Sequence, residues 1–95
     1  MAGRLRLTVV LAASVLLIAG LTAARAADPA FCRPYAQAAL KQVRDGLADP
    51  RCGGGMQGAR WSTDFAVHYE WCLGASVAAA GAERDARTQY LRGCR

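Results

Sequence analysis

Beyond residue 30 the apolar residues recur at helical spacing, and no run alternates as a half-buried strand would. Cys32, Ala36, Leu40, Val43 and Leu47 form one stripe, with Lys41, Gln42, Arg44 and Asp45 on the other side, which predicts a first helix over 34–47. Pro34 suits its first turn, where the missing N–H of proline costs nothing. Gly46 and then Asp49-Pro50 end it. A loop over 48–60 follows, holding Cys52 and the glycines Gly53, Gly54, Gly55 and Gly58. A second helix starts with Ser62 or Thr63 as N-cap and Asp64 in the first turn, and runs to about Leu73 or Ala75. It is apolar almost all round, through Phe65, Val67, Tyr69, Trp71 and Leu73, and so is expected to pack centrally. The alternative leaves one aromatic face, Val67 with Trp71, open for a partner. Gly74 breaks this helix, Ser76 caps a third over 77–91, and Ala79, Ala82, Ala86 and Tyr90 are its expected buried stripe. Glu83 and Arg87 read as an i,i+4 pair on its outer face.

The first 26 residues read differently. Arg4 and Arg6 precede an apolar stretch from Leu7 to Ala24, broken only by Thr8, Ser14, Gly20 and Thr22. Ala24-Arg25-Ala26 places small residues at −3 and −1 of a cleavage site. Residues 1–26 are therefore expected to be a signal peptide cut between Ala26 and Ala27. An uncleaved anchor is the competing reading, since the stretch just reaches the lower limit for crossing a bilayer. Either way the remainder, residues 27–95, lies outside the cytoplasm, in the periplasm or secreted.

Removing the leader changes the charge and the size that matter. Three of the twelve basic residues, Arg4, Arg6 and Arg25, go with it, leaving nine against seven acidic ones. A net charge near +2 gives little reason to expect a nucleic-acid partner. The 69 residues that remain are too few to build a core worth more than a few kcal/mol unaided. Four cysteines, Cys32, Cys52, Cys72 and Cys94, supply the remedy: two disulfides in an oxidising compartment.

Helical geometry separates the three possible pairings. Cys32 and Cys52 bracket the first helix, about 20 Å long at ~1.5 Å per residue, whereas disulfide Cα atoms lie within ~7 Å. Cys72 and Cys94 bracket the third helix in the same way. An up-down-up bundle brings Cys32 to Cys72 at one end and Cys52 to Cys94 at the other. The expected fold is thus all-α, a small three-helix bundle stapled by Cys32–Cys72 and Cys52–Cys94.

Motifs for chemistry are few. Gly53, Gly55 and Gly58 match G-x-G-x-x-G in letters, but no strand precedes them and no βαβ unit fits. Gly58 is followed by Ala59-Arg60, which fails the phosphate-loop pattern. His68 and Cys72 share a helix face at metal-ligand spacing, yet His68 is the sole histidine and Cys72 is expected to be oxidised. Asp64 and Glu70 lie about 240° apart around a helix, so they form no carboxylate pair. Arg60-Trp61 sits at the entry to the second helix, where Trp61 is expected to staple the loop onto the core, the alternative being an exposed Arg/Trp hot spot.

Phe31-Cys32-Arg33-Pro34-Tyr35-Ala36, then Cys52-Gly53 … Gly58-Ala59-Arg60-Trp61, then His68-Tyr69-Glu70-Trp71-Cys72 and a final cysteine after an Ala/Glu/Arg-rich helix resemble a cysteine-rich module that recurs in small exported bacterial proteins. The resemblance covers about residues 31–95, and this chain carries two additional residues in the glycine loop. It implies a disulfide framework and a joint role, in structure or recognition, for Arg60, Trp61, His68 and Trp71. The leading expectation is a non-enzymatic exported protein that binds a protein or envelope component, with those four residues as its binding surface. A small metal-binding protein or hydrolase centred on His68, with Arg60 or Glu70 nearby, comes second. A secreted inhibitor or toxin-like factor is third. No catalytic residue, cofactor or metal ligand set is expected, nor a stable membrane span once the signal is removed.

Overall fold

The computed structural model describes residues 25–95; the signal-peptide reading of 1–26 falls almost wholly outside them. The described chain is all-α: α1 (Pro29–Leu47), a one-turn helix α2 (Pro50–Gly53), a 3-10 turn (Ala59–Trp61), α3 (Phe65–Leu73) and α4 (Val77–Cys94). Both disulfides form as the bundle geometry requires, Cys32–Cys72 with Cα atoms 5.6 Å apart and Cys52–Cys94 at 5.1 Å. A chain so stapled belongs to an oxidising compartment rather than the reducing cytoplasm. Among the described residues no helix is long and apolar enough to cross a membrane.

Local chemistry sets the ends of the helices. The first helix starts five residues earlier than expected, because Asp28 caps it through a hydrogen bond from the Phe31 N–H (2.9 Å) and Pro29 occupies its first position. Pro34 is therefore interior, where proline removes a helical hydrogen bond; it sits on the exposed side. Gly46 does not end the helix either. It is buried within α1, and a Cβ there would lie 2.7 Å from Met56 and 2.8 Å from Leu91. The expected loop contains α2, capped by Asp49, which accepts from the Arg51 N–H at 2.9 Å. Asp64, rather than Ser62 or Thr63, caps α3, while the Ser62 hydroxyl accepts from the Asp64 N–H. Ser76 caps α4 as expected.

Two apolar clusters form, one around each disulfide. Ala27, Cys32, Tyr35, Cys72 and Ala80 make the first, with Phe31, Tyr69 and Leu73 against it. Val43, Cys52, Met56, Trp61 and Leu91 make the second, with Tyr90 against it. The Tyr90 hydroxyl donates to the Cys52 carbonyl (2.7 Å), and its ring lies 5.0 Å from that of Trp61. The chain joins the first cluster at Ala27, whose N–H donates to the Ala75 carbonyl at 2.7 Å, beside an antiparallel bridge from Ala26 to Ser76.

Three expectations about faces are corrected. Leu47 is exposed rather than part of the α1 stripe, while Tyr35 and Ala39 are buried. The buried stripe of α4 is Ala80, Arg87 and Leu91, not Ala79, Ala82, Ala86 and Tyr90. Arg87 is thus interior, not on an outer face. Third, α3 is not enclosed: it buries His68 and Cys72 and leaves Val67 and Trp71 at 37% and 44% exposure.

Candidate functional site

Between the two apolar clusters lies a polar layer, and it opens onto a cleft of about 300 Å³ lined by Tyr35, Arg60, His68, Trp71, Glu83 and Arg87, among others. These six side chains arrive from four elements. Tyr35 comes from α1, Arg60 from the 3-10 turn, His68 and Trp71 from α3, and Glu83 and Arg87 from α4.

Gly58 makes the Arg60 position possible. Its φ of +91° lies where side chains are rarely accommodated, and its carbonyl accepts from the Trp61 N–H to close the turn. Trp61 then points into the second apolar cluster, 8% exposed, while Arg60 turns the other way. Its Nε and Nη2 donate to the two oxygens of Glu83 at 2.7 and 2.9 Å. This fork holds the Glu83 carboxyl below its usual range, with the charges of Arg87 and His68 adding to the effect against the opposing effect of burial. Arg60 is raised by the same bonds.

Arg87 is the unusual group, a guanidinium 1% exposed at the centre of a small domain. Its Nε donates to Gln42 Oε1 (2.7 Å) and its Nη2 to the Tyr35 hydroxyl (3.0 Å). The cation also lies 5.3 Å from the centroid of the Tyr35 ring. Gln42, expected on the solvent side, faces α4 and donates in turn to Thr88 Oγ1 and the Arg84 carbonyl. Glu83 Oε2 stands 3.9 Å from Arg87 Nη1, an ion pair without a hydrogen bond.

His68 is 3% exposed. Its Nε2 lies 2.7 Å from the Ser62 carbonyl oxygen, and because a carbonyl only accepts, Nε2 carries the proton. That bond ties the start of α3 to the preceding loop. Cys72, one turn along, is bonded to Cys32 and offers no thiolate beside it. Among the described residues no group of three or more His, Cys, Asp or Glu side chains is placed to hold a metal. Of the acidic side chains Asp64, Glu70 and Glu83, Asp64 is spent as a helix cap and Glu70 is exposed outside the cleft, so Glu83 is the carboxylate in the cleft lining.

Arg60, His68 and Trp71 therefore meet in one cleft, and Trp61 packs apart from them. Sequence reasoning missed Tyr35, Gln42 and Arg87. The available signal was the spacing of Ala80, Arg87, Leu91 and Cys94 along one helical face, obscured by alanines on several faces of α4. The fold and site define a disulfide-stapled all-α domain with an arginine-centred cleft. Neither a family model, nor a curated protein, nor a solved structure matches the chain.

Proposed function

We propose that this chain is a non-enzymatic binding protein, exported to the periplasm or secreted, which holds a protein or envelope component on the face formed by Val67, Trp71 and Arg60. The observation that carries this reading is Trp71, a large aromatic side chain left 44% exposed at the rim of the cleft. Val67 stands one turn before it, and Arg60 lines the same depression. Aromatic and arginine side chains beside a concavity are the usual anchors of protein recognition. Val67 and Trp71, exposed side by side next to a cleft, form the kind of apolar patch rimmed by polar groups that a partner covers.

The His68 chemistry has less support. A histidine general base needs a free ring nitrogen within reach of a reacting group, its other nitrogen fixed by a carbonyl or a carboxylate. Here the Ser62 carbonyl fixes the Nε2–H and leaves Nδ1 as the basic nitrogen, but the ring is only 3% exposed, and Glu83, the nearby carboxylate, is held by Arg60. Export fits the two disulfides.

The test is capture from envelope extract using the oxidised protein and its Trp71→Ala variant. The native protein is expected to recover a defined partner, and the variant to lose it while keeping its helical circular dichroism. Recovery that ignores Trp71, or turnover that depends on His68 in the absence of any partner, overturns the proposal.

A further inference from the structure

Arg87 presents more donors than the fold uses. A guanidinium has five N–H groups. Among the described residues, Gln42 takes the one on Nε and the Tyr35 hydroxyl takes one on Nη2. Nη1 has no acceptor within hydrogen-bond distance among the described residues; its ion-pair partner, Glu83 Oε2, stands 3.9 Å away. Buried donors without acceptors are costly and uncommon, and Arg87 is part of the lining of a cleft. The charge balance points the same way: Arg60 and Arg87 face the single carboxylate of Glu83. That carboxylate is turned toward Arg60, which takes both of its oxygens. The cleft lining also has an apolar part, formed by Val67 and by Trp71, whose ring lies 5.9 Å from that of Tyr35 at an interplanar angle of 32°.

We infer that the cleft recognises a carboxylate carried next to an apolar side chain on a partner polypeptide. The carboxylate docks on Arg87 Nη1 and the apolar group on Trp71. A guanidinium edge and a carboxylate match in geometry as well as charge, and a cleft of about 300 Å³ holds one or two residues rather than a folded surface. Glu83 is then an internal competitor, a carboxylate already set against the arginines that the ligand must share. This inference rests on the binding reading above and adds the chemistry of what is bound.

The experiment uses the oxidised protein, with nitrogen-15 spectra of the Arg87 Nε and Trp71 Nε1 groups as the readout. The probes are the blocked peptide acetyl-Ala-Glu-Phe-Ala-amide, its Gln-for-Glu counterpart, and acetate alone. The Glu peptide is expected to shift both signals saturably, with the Gln peptide about ten-fold weaker and acetate weaker than either. The Glu83→Gln variant is expected to bind the Glu peptide about five-fold tighter, as removal of a competing partly exposed charge allows. General damage to the fold would weaken binding, so the sign of that change is diagnostic. Equal binding of the Glu and Gln peptides overturns the inference, as does acetate matching the Glu peptide or a Glu83→Gln variant that binds no tighter. Trp71-dependent capture of a partner that the Glu peptide cannot displace leaves the binding reading standing and removes this one.

Discussion

Single residues do unusual work in so small a domain. Arg87 occupies a position that the helical pattern of α4 reserves for an apolar side chain, seven residues after Ala80 and four before Leu91. It is tolerated there because Gln42, Tyr35 and Glu83 surround the cation from α1 and α4. Gly58 works through its backbone. At φ +91° and ψ −179° it holds a conformation that residues with a Cβ avoid, although nothing lies within 4 Å of where a Cβ would be. Gly58→Ala is therefore expected to cost about 1–3 kcal/mol purely through conformation. Gly53→Ala, equally unobstructed but with no left-handed φ, is expected to be near neutral. Urea unfolding with the disulfides intact checks the pair, and equal costs would contradict the account.

At the scale of elements, the joint between the 3-10 turn and α4 depends on one carboxylate. The Arg60 fork lowers the Glu83 pKa below its ordinary value of 4.5. A carboxyl with a depressed folded-state value stabilises the fold above its unfolded value, and that stabilisation is lost as pH falls through the folded value. The groups that face it are Arg60, Arg87 and His68. Melting temperature is thus expected to drop more between pH 6 and pH 3 in the native protein than in Glu83→Gln, which has no such proton to take up. The Asp49–Arg51 pair at the start of α2 also depresses a carboxyl, but it is common to both proteins and cancels in the comparison. Parallel acid profiles would show that the fork contributes nothing to stability.

For the whole molecule, each disulfide anchors its own apolar cluster, so the two cross-links replace one large interior with two small ones. They join residues 40 and 42 positions apart, which in the chain-entropy model makes each worth about 4 kcal/mol when taken singly. Replacing Cys32 and Cys72 together by alanine, or Cys52 and Cys94 together, is expected to bring the domain close to its unfolding threshold. Reduction of both is expected to abolish the cooperative thermal transition. Circular dichroism melts with and without reductant test this, and a reduced protein that melts like the oxidised one would refute it.

The sequence by itself determined the helical class, the third helix with its Ser76 cap, and the cysteine pairing. These follow from local chemistry, from lengths and from the up-down-up order of three helices: a helix cannot bring its own two ends within disulfide reach, and that order sets Cys32 beside Cys72 and Cys52 beside Cys94. What it left ambiguous was rotation about the helix axes. Alanine-rich and nearly all-apolar segments such as α4 and α3 present several faces of similar hydrophobicity, and one residue of displacement turns a face by about 100°. Only the packing of α1 against its neighbours decided that Arg87 turns inward, that Trp71 remains outside, and that Trp61 and Arg60 part company across one turn. The cleft exists because side chains from four elements converge, and convergence depends on distances between segments that spacing along the chain does not encode.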